Sequence, residues 1–114
     1  MPYINIEVEN KVVGTLTFFE IDKDDKESTI KFIEVKEENR GKGFGISLLW
    51  NFYDYIYKNH KNIRYILWDD CSDNYRLKKN IYIKVGAKYI EKSGPEMIWK
   101  IRTKDVRHKR LKYQ

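Results

Sequence analysis

The chain has 114 residues, is 41% hydrophobic and 15% aromatic, and carries a formal net charge of +6, which suffices for one small hydrophobic core but not for two. No apolar run approaches the ~20 residues of a membrane span. The first residues have no basic-then-apolar leader, and the single Cys71 excludes an internal disulfide, so a cytoplasmic protein without membrane association is expected. The positive charge is concentrated at one end: residues 102–114 hold six basic side chains against Asp105 alone, and residues 1–101 are close to neutral. The basic character therefore belongs to a tail, which divides the chain into a body of 1–101 and a basic segment of 102–114.

Tyr3 to Val8 alternates apolar and polar residues, as a half-buried strand does. Glu9-Asn10-Lys11 makes a tight turn into a second β-rich run, Val12 to Ile21. The nearly all-charged stretch Asp22 to Ser28 predicts a solvated loop, and Thr29 to Val35 a third strand, with Ile30, Phe32 and Glu34 on one face and Ile33 and Val35 on the other. After Gly45, the spacing of Leu48, Leu49, Phe52, Tyr53 and Ile56 follows the helical period up to Asn59. The helix's other aromatics, Trp50, Tyr55 and Tyr57, extend the cluster around it as core plus an interface, and His60 falls in the solvated loop that follows.

Ile63 to Trp68 reads as a short apolar strand. Residues 72–74 are good helix caps, and a second helix from about Asn74 to Val85 ends at Gly86. Ala87 to Glu91 and Met97 to Ile101 form a hairpin around Ser93-Gly94-Pro95. The order β-β-β-α-β-α-β-β predicts an α/β (α+β) fold: a mixed sheet whose strands on either side of the first helix are parallel, with antiparallel hairpins at both ends.

The most informative stretch is Val35-Lys36-Glu37-Glu38-Asn39-Arg40-Gly41-Lys42-Gly43-Phe44-Gly45-Ile46. A strand runs into a glycine-rich loop, and the loop opens a helix. Glycines let the backbone turn sharply and approach a ligand. The first helical N–H groups have no partner within the helix, and with its dipole they favour an anion such as phosphate; Arg40 and Lys42 add charge. No Gly-Lys-Ser/Thr follows, so this is not a Walker loop. Leu48 stands where a dinucleotide-binding loop would have its third glycine. A loop of this kind suits several phosphate ligands.

Arg40-Gly41-Lys42-Gly43-Phe44-Gly45 resembles the pyrophosphate-binding signature of the GNAT acetyltransferases, Arg/Gln-x-x-Gly-x-Gly/Ala. Ile33-x-Val35 before it and Leu48-Leu49 after it stand where the family carries apolar residues, and Tyr82-x-Lys84-x-Gly86 looks like the family's later Tyr-x-Lys-x-Gly-Phe segment. The resemblance covers roughly Tyr3 to Ile101. It departs from the pattern at Ala87 (usually Phe), Lys78 (usually Ala), Asn74 (one position early) and Glu37 (often Pro). The strand and two helices that typically precede this core, and help to wall the acceptor site, have no counterpart in the 114 residues.

The resemblance implies an acetyl-CoA-dependent N-acetyltransferase acting on a protein lysine, a protein N-terminus or a small amine. By the same resemblance, the main chain of Arg40, Gly41, Lys42, Gly43, Phe44, Gly45 and Ile46 holds the pyrophosphate. Ile33 and Val35 pair with the pantetheine arm, an amide near Val35 polarises the thioester carbonyl, and Tyr82 protonates the leaving thiolate. Candidates for the general base are Glu34, Asp69 and Asp70. Asn74 either contacts the cofactor or caps its helix. Cys71 has no evident histidine partner and reads as an incidental thiol. Two other readings are a catalytically idle CoA-binding interaction module, and nucleic-acid binding through the basic tail. The exposed aromatics also allow a homodimer.

Overall fold

A computed structural model describes residues 1–70, 88–93, 96–103 and 105–106, of which 69–70, 88–93 and 96–100 by backbone alone. Strands β1 (Tyr3–Val8), β2 (Lys11–Phe18) and β3 (Glu27–Val35) come first. The helix α1 (Phe44–Asn59) follows, then β4 (Tyr65–Asp70), β5 (Lys88–Ser93) and β6 (Glu96–Arg102). They build one six-stranded sheet in the order β1-β2-β3-β4-β6-β5. β3 and β4 are parallel, and the other neighbouring pairs are antiparallel. The expected mixed sheet and its hairpins are therefore present. The expected second helix, residues 74–85, and the Gly94-Pro95 turn lie outside the described residues. No helix among the described residues is long and apolar enough to cross a membrane.

The first hairpin closes through a two-residue turn in which Glu9 and Asn10 have φ of 53° and 66°. That is the mirror-image turn whose twist matches paired strands. Asn tolerates this left-handed region; Glu does so at a cost. The second strand is shorter than its β-rich run, because Phe18 already lies at the sheet's end and Phe19 is exposed. The third begins earlier than expected, at Glu27. Ser28, counted with the solvated loop, is buried opposite Ile66.

One expectation fails for a specific reason. Phe32 and Glu34 do not share a face with Ile30. The pairing of β2 and β3 slips between Phe18↔Ile30 and Thr17↔Phe32, which leaves Lys31 as an extra residue. A bulge of this kind shifts the two-residue side-chain period by one. Ile30 is therefore buried, Ile33 and Val35 pack against the same core, and Phe32 and Glu34 are exposed on the opposite face.

The core lies between the sheet and α1. Leu48, Leu49, Phe52, Tyr53 and Ile56 supply the helix side; Leu16, Phe18, Ile30, Ile66 and Trp68 supply the sheet side. Phe18 and Phe52 meet as tilted rings 4.9 Å apart. Gly14 is the point of closest approach. A Cβ there would lie 3.1 Å from Leu48 Cδ1 and 3.1 Å from the Glu34 carbonyl oxygen, so the missing side chain is what lets the helix settle on β2.

The core continues past Ile101. Val106 is buried with it, and the Thr103 hydroxyl donates to the Ile63 carbonyl at 3.2 Å, so the packed body reaches beyond residue 101. His60, expected in solvent, is half-buried: its Nε2 lies 3.0 Å from the Tyr55 hydroxyl and its ring meets that tyrosine edge-on.

Candidate active site

The parallel pair β3–β4 is joined only along Glu27–Ile30 and Tyr65–Trp68. Beyond those residues the sheet divides. The rest of β3 stays with β2, while Asp69 and Asp70 continue with β6. The division begins at the Lys31 bulge, which bends β3 where its pairing to β4 ends. The described strands thus leave a gap between the end of β3 and the end of β4.

The hydrogen-bonding phase determines which groups line that gap. The Lys36 N–H donates to the Val13 carbonyl at 3.0 Å. In an antiparallel ladder, alternate residues face the partner strand, so Glu34 and Phe32 turn their peptide groups to β2. Ile33 and Val35 turn theirs the other way, to the edge that β4 has left. Two of the sequence-predicted cofactor residues, Ile33 and Val35, therefore present main-chain donors and acceptors to the gap while their side chains pack into the core. The carbonyl of Val35 already has a partner: Arg40 Nε donates to it at 3.0 Å.

The loop after β3 takes one short 3-10 turn, Glu37–Asn39, and reaches Gly41 and Gly43 at φ of 80° and 84°. Among the described residues, no atom beyond the adjoining residues lies within 4 Å of a Cβ built on either glycine. Conformation, not crowding, demands glycine at both, and the space beside them is open. α1 begins directly after Gly43, with no side-chain cap and no acidic residue in its first turn. A helix start without a carboxylate or hydroxyl of its own leaves its first amides and its positive dipole end for an anion. Arg40 and Lys42 are exposed beside it.

The fold thus brings Ile33, Val35 and the Arg40–Ile46 segment to one end of the gap. Glu34 is apart from them: it is exposed on the face away from α1, in a cross-strand row with Thr15 and Asn5, whose side chains are joined by a 2.7 Å hydrogen bond. Asp70 is placed in β4 opposite Met97, with its side chain outside the described residues. Tyr82, Asn74 and Cys71 also lie outside them. Two features escaped sequence reasoning. The Arg40–Val35 contact has no local signature. Gly14 did have one, as a lone glycine within a β run, the mark of a close backbone approach.

Chemically, the site offers amides at a helix start and two basic side chains to an anionic oxygen group, and a free strand edge to an extended amide-bearing arm. The model of the acetyltransferase (GNAT) family matches residues 1–81. A comparison with curated proteins gives no match. Solved structures share the fold. The PaiA N-acetyltransferase of Thermoplasma acidophilum, in complex with coenzyme A, is 18% identical with a TM-score of 0.74, covering 88% of this chain and 59% of its own. A protein of Pyrococcus horikoshii is 28% identical with a TM-score of 0.67, over 84% of this chain and 61% of its own. The ribosomal-protein-S18-alanine N-acetyltransferase of Escherichia coli is 14% identical with a TM-score of 0.72, over 90% and 68%. The chain thus spans less than two thirds of the Thermoplasma and Pyrococcus proteins.

Proposed function

We propose that this chain, which belongs to the GNAT acetyltransferase family, transfers an acetyl group from acetyl-CoA to an amine. The observation that carries the reading is the meeting of two features at one end of β3. One is a strand edge left unpaired by β4 among the described residues; the other is an uncapped helix start behind two left-handed glycines. A pyrophosphate joined to an amide-bearing arm is matched to both.

In this reading the amides of Gly41 to Ile46 hold the pyrophosphate, with Arg40 and Lys42 contributing charge. Ile33 offers an N–H and a C=O to the arm. Val35 contributes its N–H, while its carbonyl already accepts from Arg40; that amide is the donor suited to the thioester oxygen as negative charge develops there. Acetyl-CoA supplies an activated acyl group. The amine nitrogen forms a bond to the acyl carbon, the carbon–sulfur bond breaks, and the sulfur keeps the electron pair. Tyr82 is assigned as the acid that protonates the departing sulfur. Glu34 and Asp70 are candidates to take the proton from the amine, and Asn74 is assigned a supporting contact to the cofactor. The acceptor's identity, protein or small molecule, is open in this reading.

Calorimetry with acetyl-CoA tests it, on the wild type and on Gly43→Asp/Gly45→Asp. Carboxylates at the helix start repel a pyrophosphate. Binding by the wild type and none by the folded double variant is the expected result. A folded wild type that does not bind overturns the proposal. Binding without turnover across a panel of lysine peptides, N-terminal peptides and polyamines would instead favour the idle-module reading.

A further inference from the structure

We propose that β1 is a dimerisation edge, which pairs with β1 of a second copy of this chain to continue the sheet from one molecule into the next. Among the described residues β1 is the end of the sheet. The Phe18 N–H donates to the Pro2 carbonyl at 3.1 Å, and that bond sets the phase of the first hairpin. Ile4 and Ile6, in register with Leu16 and Gly14, turn their peptide groups inward to β2. Tyr3 and Asn5 turn theirs outward. Beyond the bulge between Ile6 and Glu7, where Val13 is the extra residue, Glu7 opposite Val12 does the same.

An outward row of main-chain donors and acceptors is a template for another strand. Edge strands that stay single are usually blunted by lysine, by proline or by inward-pointing charge. Tyr3–Val8 reads Tyr-Ile-Asn-Ile-Glu-Val, with neither lysine nor proline and with one charge, exposed Glu7.

The sequence of β1 selects a second copy of itself as the occupant. In an antiparallel pair, outward residues must face outward residues. The register centred on Asn5 is the one that matches all three: Asn5 faces Asn5 of the partner subunit, and Tyr3 faces Glu7 of the partner subunit. No like charges are opposed, and a tyrosine stands beside a carboxylate. On the helix side, the same register sets Ile4 against Ile6 of the partner subunit. Both isoleucines are only half-buried and already pack on the core, so the pairing completes their burial and brings the two α1 layers onto one face of a continuous sheet. Shifting by two residues in either direction leaves one outward residue facing Met1 or Glu9, both outside Tyr3–Val8.

Sedimentation velocity of the full chain over a range of concentrations tests this, together with two variants at Asn5. Asn5→Pro removes an outward N–H and, of the β1–β2 hydrogen bonds, only the exposed side-chain one from Thr15, leaving the main-chain ladder whole, so the fold should survive and the dimer should weaken by at least about tenfold. Asn5→Lys sets two ammonium groups against each other at the two-fold axis and should weaken the dimer without any backbone change, which keeps the test valid if the proline variant does not fold. Asn5→Cys places two thiols at an antiparallel hydrogen-bonded site about 5.5 Å apart between Cα atoms, within disulfide reach. Oxidation should yield a disulfide between the two introduced thiols, located by peptide mass spectrometry, while Glu9→Cys should not cross-link. A wild type that is monomeric at all concentrations overturns the proposal, as does a dimer that both Asn5→Pro and Asn5→Lys leave unchanged.

Discussion

Arg40 donates its Nε hydrogen to the carbonyl of Val35 across 3.0 Å, tying the glycine-rich loop back to the strand that leads into it. The contact engages an acceptor at the free edge of β3 and holds the guanidinium beside the start of α1. Arg40→Ala should therefore lower acetyl-CoA affinity by about tenfold, on the order of one charge-assisted hydrogen bond, with little change in unfolding midpoint. Arg40→Lys should recover only part of the loss, since an ammonium cannot donate to Val35 and present a planar fork together. Calorimetric titration of both variants checks this.

Gly43 has φ of 84° and open space where a Cβ would be. Gly43→Ala should cost about 1–2 kcal/mol through backbone conformation alone. Gly43→Asn should be milder, because Asn tolerates the left-handed region. If denaturant unfolding places the two variants level with wild type, the loop does not require this conformation.

Gly14 presents the opposite case, a crowded site. A Cβ there meets Leu48 Cδ1 and the Glu34 carbonyl oxygen at 3.1 Å, and Ile6 Cγ2 at 3.3 Å. Gly14→Ala should destabilise by about 1–3 kcal/mol through overpacking. Adding Leu48→Val, which shortens the opposing side chain, should recover part of that loss. A double-mutant cycle in urea with no coupling energy would show that the helix does not rest on β2 at this point.

Glu9, at φ of 53°, is a turn position where the residue type opposes the conformation. Replacing Glu9→Asn together with Asn10→Gly installs a preferred pair for this hairpin turn and should raise stability by about 1 kcal/mol, seen as a thermal midpoint several degrees higher.

Tyr82→Phe should lower kcat and leave acetyl-CoA affinity unchanged, because the hydroxyl's assigned role begins only when the carbon–sulfur bond breaks. Equal turnover by the two proteins in steady-state assays would remove the acid assignment.

Much of this was legible in the sequence, because local patterns report local structure. The alternation of Tyr3–Val8, the helical spacing of Leu48 to Ile56 and the Arg40-Gly41-Lys42-Gly43-Phe44-Gly45 loop each dictate an element; the order of elements implies the mixed sheet, and the loop's resemblance to the GNAT signature implies the family. Three things only the tertiary structure decided. The bulge at Lys31 reverses the faces of Phe32 and Glu34, because register depends on what β2 offers opposite and not on β3 alone. The parting of β3 from β4 after Ile30 and Trp68 depends on where two distant strands stop sharing hydrogen bonds. The outward phase of β1 is set by a single bond from Phe18 to Pro2. A one-dimensional pattern specifies which residues alternate; which of them turn their peptide groups to a neighbour, and which to an open edge, is settled only when the strands meet.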